Sequence, residues 1–206
     1  EPGVYVQQTA HSQGSAYIRG RTGQQTLLLF DGIRVNNSTF RQGPNQYFFT
    51  IDARTIDRIE VTRGGGSTRF GSDALGGVIE AHPLESVRDP SDTGWQVHPR
   101  LQVRGGSADS EAGGRIQVDV QAPEGVSFLG GFGARHVGLL EGGGAVLNPA
   151  DHQRPMVPAL APDGRTQLGT GFGEITADGR LSWTFDRGRV VAAVYDYQQY
   201  DAPRTD

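Results

Sequence analysis

Two patterns of apolar and polar positions meet near residue 83. Before that point, short runs of β-branched, aromatic and leucine residues alternate with turn residues: "YVQQ" at 5–8, "SAYIRG" at 15–20, "TLLLFDG" at 26–32 and "RIEVTRG" at 58–64. Each reads as a strand, and all but the first stop at a glycine. From Thr26 to Phe30 the run does not alternate, which predicts a strand covered on both faces. Ile51, Ile56 and Ile59 fall near helical spacing and predict a short helix leading into a strand at 58–62. Residues 1–83 therefore read as a small α+β domain, a mixed sheet with short helices.

Beyond Pro83 the period becomes two. Leu101 and Val103 alternate with Arg100, Gln102 and Arg104; Ile116, Val118 and Val120 alternate with Gln117, Asp119 and Gln121. Val126, Phe128, Phe132 and Ala134 share a face with Gly130. Leu181, Trp183 and Phe185 alternate with Ser182 and Thr184, and the apolar face is expected to continue through Val191, Ala193, Tyr195 and Tyr197. Five antiparallel strands are predicted. This alternation also describes a soluble β-sandwich. Connection lengths favour another reading: 123–125 and 186–188 are tight, 105–114 and 138–174 are long, and the tight turns fall on one side. Membrane β-barrels have this asymmetry. Trp183 and Phe185 beside a tight turn, with Tyr195 and Tyr197 near the far strand end, lie roughly 20 Å apart in height at about 3.3 Å per residue and 40° tilt, close to the spacing of two aromatic girdles. Residues 84–206 are expected to be transmembrane barrel strands.

Composition narrows the choice. The chain has 206 residues, 35% of them hydrophobic, with 31 glycines and 11 prolines. A net charge of −4 argues against a broad nucleic-acid surface. The absence of cysteine removes disulfides, thiol nucleophiles and Cys-ligated metal. No run approaches the ~20 apolar residues of a spanning helix. A signal peptide is not evident, and "EPGVYVQQ" opens in mid-pattern, as if an N-terminal segment were missing.

The stretch "RIEVTRGGGSTRFGSDALGGVIEA" (58–81) sets six glycines between two strand-like runs. It is not a phosphate loop: the chain contains no lysine, and Gly64, Gly65 and Gly66 lack the G-x-G-x-x-G spacing. Ser67 lacks the nucleophile-elbow register, Asp52, Asp57 and Asp73 lack a calcium-loop spacing, and His11, His82, His98, His136 and His152 show no metal-ligand spacing. "NNST" at 36–39 satisfies the glycosylation pattern, which matters only in a secretory eukaryotic setting. No catalytic residue, cofactor or metal site is expected.

In order and spacing, "PGVYVQQ" (2–8), "IRG" (18–20), "LLLFDGIRVNN" (27–37), "GPNQYFFTID" (43–52) and "RIEVTRGGGSTRFGSDALGGVIE" (58–80) resemble the plug domain of TonB-dependent outer-membrane receptors. The remainder resembles the start of that family's barrel. The resemblance implies a plug (1–83) inside a barrel begun by residues 84–206, about five of some 22 strands. Five strands cannot close, so the expectation is either a fragment of a longer receptor or a chain that does not span a membrane.

Further implications follow from the same likeness. Gly20, Gly32, Gly64, Gly71, Gly76 and Gly77 match structural glycines, whereas Gly65 departs from the family's usual proline. Arg19 and Arg63 match plug arginines that pair with barrel glutamates. His11, Ser12 and Gln13, with Asn37, Ser38, Thr39, Phe40 and Arg41, match apical loops that face substrate. The function implied is Gram-negative outer-membrane uptake of a scarce nutrient, above all a ferric siderophore, with cobalamin, haem and glycans as alternatives. TonB would supply the energy, and plug movement would open the path. The competing expectation is a soluble plug-like binding module, in which Trp183, Tyr195 and Tyr197 would be buried in a protein core instead of meeting lipid.

Overall fold

The computed structural model describes residues 2–10, 13–36, 47–89, 91, 93–145, 147 and 159–201, and the chain divides into two units, Glu1–Glu85 and Ser86–Asp206. In the first unit, β1 (Val4–Ala10) pairs antiparallel with β2 (Gln13–Ile18). A second, mixed sheet holds β3 (Thr26–Phe30), β4 (Ile33–Arg34), β5 (Ile56–Arg63) and β6 (Gly77–Pro83) in the order β4-β3-β6-β5. Only the β3–β6 pairing is parallel. A single helical turn, α1 (Ser67–Phe70), precedes β6.

Strand β3 is central, and its sequence is apolar throughout because both faces are covered. Leu27 and Leu29 pack with Ala74, Val78 and Phe70, while Leu28 packs with Ile18, Ile79, Val35, Phe48 and Val61. Each buried leucine contributes about 1.5–3 kcal/mol. Buried Asn36 ties down the neighbouring chain: its Oδ1 accepts from the Leu28 amide at 2.6 Å and its Nδ2 donates to the Thr26 carbonyl at 2.9 Å. That amide is committed to the core, which overrides any reading of Asn36 as a glycosylation acceptor.

Two-residue turns explain Gly20 and Gly32. Arg19–Gly20 and Asp31–Gly32 both have positive φ at both positions (51° and 77°; 53° and 75°), the type I′ pattern that matches strand twist. Gly77 answers a packing demand: with φ at +154°, a Cβ there would lie 2.3 Å from the Thr62 carbonyl oxygen and 2.8 Å from Ile18 Cδ1. The short helix expected to lead into the strand at 58–62 is a 3-10 turn, and it does not reach Ile56 or Ile59. Asp52 caps a 3-10 turn at Ala53–Thr55 through the Arg54 amide, and β5 starts at Ile56, leaving Ile59 exposed on the ladder.

The second unit is an antiparallel meander of β7 (Gln96–Gly106), β8 (Glu111–Gln121), β9 (Val126–Val137), β12 (Phe172–Phe185) and β13 (Gly188–Tyr200), in the order β13-β12-β9-β8-β7. Between β9 and β12, β10 (Leu140–Glu141) pairs with β11 (Thr166–Gln167). The expected long loop at 105–114 is also corrected. Gly105, Gly106, Gly113 and Gly114 belong to the β7–β8 ladder, and only residues 107–110 connect the strands.

The register sorts the side chains into two opposite faces. One carries Leu101, Val103, Ile116, Phe128, Phe132, Leu181, Trp183, Val190 and Val194, all exposed. The other carries Arg115, Gln121, Glu174, Thr176, Arg180 and Ser182, all buried. Tyr195 and Tyr197 are corrected to the polar face: they pair with Asp178 and Thr176, whereas Trp183 and Leu181 pair with Val190 and Ala192. The far aromatic of the apolar face is Tyr200. Ten residues separate it from Val190, the partner of Trp183 (200 − 190), about 25 Å in height at 3.3 Å per residue and 40° tilt.

Candidate functional site

The polar face is held by charge pairs that cross strands. Glu111 on β8 accepts from Arg104 Nε on β7 at 2.7 Å and from Arg135 Nη1 on β9 at 3.3 Å. Arg135 also meets Glu174 on β12, with Nε–Oε1 at 2.9 Å and Nη2–Oε2 at 3.0 Å, and its guanidinium lies 5.3 Å from the Phe172 ring centroid. The Tyr197 hydroxyl on β13 donates to Glu174 Oε2 at 3.0 Å. One network thus joins all five long strands at the end away from the 122–125 and 186–187 turns. Charge-assisted bonds of this kind are the stronger ones, and a polar belt linked across strands fixes register as well as adding energy.

A second pair lies deeper in the sheet. Arg115 Nη2 on β8 donates to Asp178 Oδ1 on β12 at 2.5 Å, reaching across β9 between them. Gly131 makes the crossing possible: it is the register partner of both Gln117 and Asp178, and a Cβ there would lie 2.6 Å from Arg115 Nη2. The glycine is required by an overlying side chain, not by a turn.

In the first unit, Arg19 and Arg63 converge on the start of the chain. The Arg19 amide donates to the Gly3 carbonyl at 2.8 Å and Arg63 Nη1 donates to the Pro2 carbonyl at 2.9 Å. A Cβ on Gly64 would sit 3.5 Å from Arg19 Nη1. Gly64 and Gly71 hold φ of +101° and +84°, and a Cβ on Gly76 would lie 2.7 Å from Arg21 Cβ. Gly65 has open space where a Cβ would be.

Residues 1–78 match the family model described as TonB-dependent Receptor Plug Domain. Residues 1–78 thus belong to the TonB-dependent receptor plug domains. It is 32% identical to the vitamin B12 transporter BtuB of Photobacterium profundum over 61% of its own length and 22% of that protein. The FrpB iron transporter of Neisseria meningitidis superposes with a TM-score of 0.67 at 18% identity, covering 97% of this chain and 28% of that one. For the copper transporter OprC the TM-score is 0.68 at 17% identity, covering 95% and 26%. The last two likenesses concern the fold. The chain spans about a fifth of the vitamin B12 transporter's length.

Of the residues expected at the receptor's apical loops, His11, Ser12, Asn37, Ser38, Thr39, Phe40 and Arg41 lie outside the described residues, and Gln13 is described only as the first residue of β2. Sequence reading did not find the belt of Arg104, Glu111, Arg135, Glu174 and Tyr197. Alternation places only Arg104 and Arg135 opposite the apolar positions; Glu111 and Glu174 fell in the expected loops and Tyr197 on the expected apolar face, and the pairing becomes visible only with the register.

Proposed function

We propose that residues 1–83 form the plug and residues 84–206 the first five barrel strands of a Gram-negative outer-membrane receptor that imports a scarce nutrient with energy drawn from TonB. The observation that carries this reading is the inverted sheet, whose apolar side chains are exposed and whose charged side chains are buried and paired. A sheet in water would bury the opposite face; a barrel wall in lipid has this arrangement.

In this reading the work is a conformational gate. His11, Ser12, Gln13 and 37–41 meet the incoming nutrient from the apical side. Arg19 and Arg63 pair with carboxylates of the barrel lining. A pull applied N-terminal to the plug first meets the hydrogen bonds that hold Pro2 and Gly3 to Arg63 and Arg19, and then the β1–β2 ladder. The cargo is a metal chelate: a ferric siderophore or a cobalamin, the latter favoured by the sequence likeness to vitamin B12 transporters.

The test is uptake of radiolabelled cyanocobalamin and of radiolabelled ferric siderophores by cells expressing the full-length gene, with and without TonB. TonB-dependent uptake of either class, with the protein in the outer-membrane fraction, supports the proposal. A soluble product without TonB-dependent uptake overturns it.

A further inference from the structure

The β5–β6 ladder of the plug brings together three groups that are separated in sequence. Glu60 and Glu80 are direct cross-strand partners, and His82, two residues beyond Glu80, points from the same face. His82 Nε2 lies 3.5 Å from Glu60 Oε1 and 4.0 Å from Glu80 Oε2, and the three ligand atoms all fall within 4.8 Å of one another.

Two observations set this group apart from a solvated charge cluster. Like charges directly opposite on a ladder repel, and a cation between the carboxylates would relieve that repulsion. The His82 Nε2 atom is buried without a hydrogen-bond partner while placed between the two carboxylates. The other cation at hand, Arg58, serves Glu60 from the side, its Nε 2.9 Å from Oε1, and acts on Glu80 only through space.

We propose that Glu60, Glu80 and His82 form a binding site for a first-row divalent transition cation. One imidazole and two carboxylates are a donor set that suits Zn²⁺, Mn²⁺ and Fe²⁺. Two ligands about 2.1 Å from one ion stand roughly 3.0–3.4 Å apart, so closing onto a metal requires only small rotamer shifts of side chains held on a paired two-strand ladder. Within the plug unit Glu60 is exposed and His82 partly so. The absence of metal-ligand spacing along the chain does not bear on this site, because strand pairing, not sequence proximity, assembles it. The inference is independent of which nutrient the receptor carries.

The test uses the full-length receptor in detergent, stripped with a chelator and titrated with Zn²⁺ by calorimetry, beside Glu80→Gln and His82→Gln. The wild type is expected to show one saturable site that either variant weakens at least tenfold, since changing even an outer-shell partner of a metal site costs about 10–100-fold. Equal stoichiometry and affinity in all three proteins overturns the proposal. A readout without substitution runs in parallel: Zn²⁺ should slow diethyl pyrocarbonate modification of His82, mapped by mass spectrometry, about tenfold or more. An unchanged rate overturns the proposal even if a variant fails to fold.

Discussion

The buried Arg115–Asp178 pair tests whether the polar face is dry enough for its charges to depend on each other. The two side chains are 1% and 9% exposed, with Nη2 and Oδ1 at 2.5 Å. At an effective dielectric near 20, two unit charges at that separation attract by about 7 kcal/mol, much of it spent on desolvation. Removing one partner from such a pair costs about 3–5 kcal/mol because the other charge stays buried. An exposed pair is worth below about 1 kcal/mol. The perturbation is therefore a cycle of Arg115→Met, Asp178→Leu and the double variant. Stability is read by urea unfolding of the full-length receptor in phospholipid vesicles, from tryptophan fluorescence and heat-shifted gel mobility. Each single change should cost about 3–5 kcal/mol, and the double change should fall short of their sum by about 2 kcal/mol or more, since an apolar pair of similar volume replaces the ion pair. Single penalties below about 1 kcal/mol that add in the double variant would show that water screens the pair and would refute the reasoning.

Three further outcomes follow from particular positions. Leu181→Arg places a charge on the apolar face and should cost about 2–4 kcal/mol in vesicles, while Ala193→Arg on the polar face should cost far less; equal costs would mean the faces are wrongly assigned. Gly65→Ala, with open space at the Cβ and no positive φ, should stabilise by about 0.4–1 kcal/mol, whereas Gly77→Ala should destabilise by more than that, both read from thermal melts. The Asp163 carboxyl accepts from the Thr166 hydroxyl at 2.6 Å and from the Thr166 and Arg165 amides, which lowers it from 3.8 to about 2. Because its folded-state value is depressed, its contribution to loop order is complete above 3.8 and is lost as pH falls through about 2. Amide exchange at Thr166 should lose protection over that window, and Asp163→Asn should flatten the profile.

Much of this architecture was legible in the chain. The glycine-stopped runs became β2, β3 and β5, and the unbroken apolar run at 27–29 announced a strand packed on both sides. The side of the sheet reached by Tyr195 and Tyr197 was not legible, because Val190–Val194 is apolar at every position and carries no parity. Parity is set by the two-residue turn: Phe185 pairs with Gly188, so odd positions of β12 share a face with even positions of β13. The 105–114 segment misled for a related reason. Its glycines resemble a loop, yet on this sheet glycine also appears where a long side chain must lie flat over its neighbour, as at Gly131. The ion-pair belt and the Glu60–Glu80–His82 group escaped because contacts between residues on different strands exist only through register.

The two units solve opposite packing problems with the same alphabet. In the plug, Leu27, Leu28, Leu29, Val78 and Ile79 are buried and the outer strand β5 carries exposed Arg58 and Glu60, as the hydrophobic effect demands in water. In the strand unit, side chains as apolar as Phe132, Leu181 and Val194 stand exposed, while Arg115 and Glu174 are withdrawn and bonded. Averaged over the chain, these tendencies cancel, which is why composition could not separate a soluble sandwich from a barrel wall. The deciding quantity is which face of a paired strand carries the charges. Had Arg115, Asp178 and Glu174 faced outward with Leu181 and Phe132 packed beneath, the same residue counts would describe a soluble sandwich; the two-residue register of the strands excludes it.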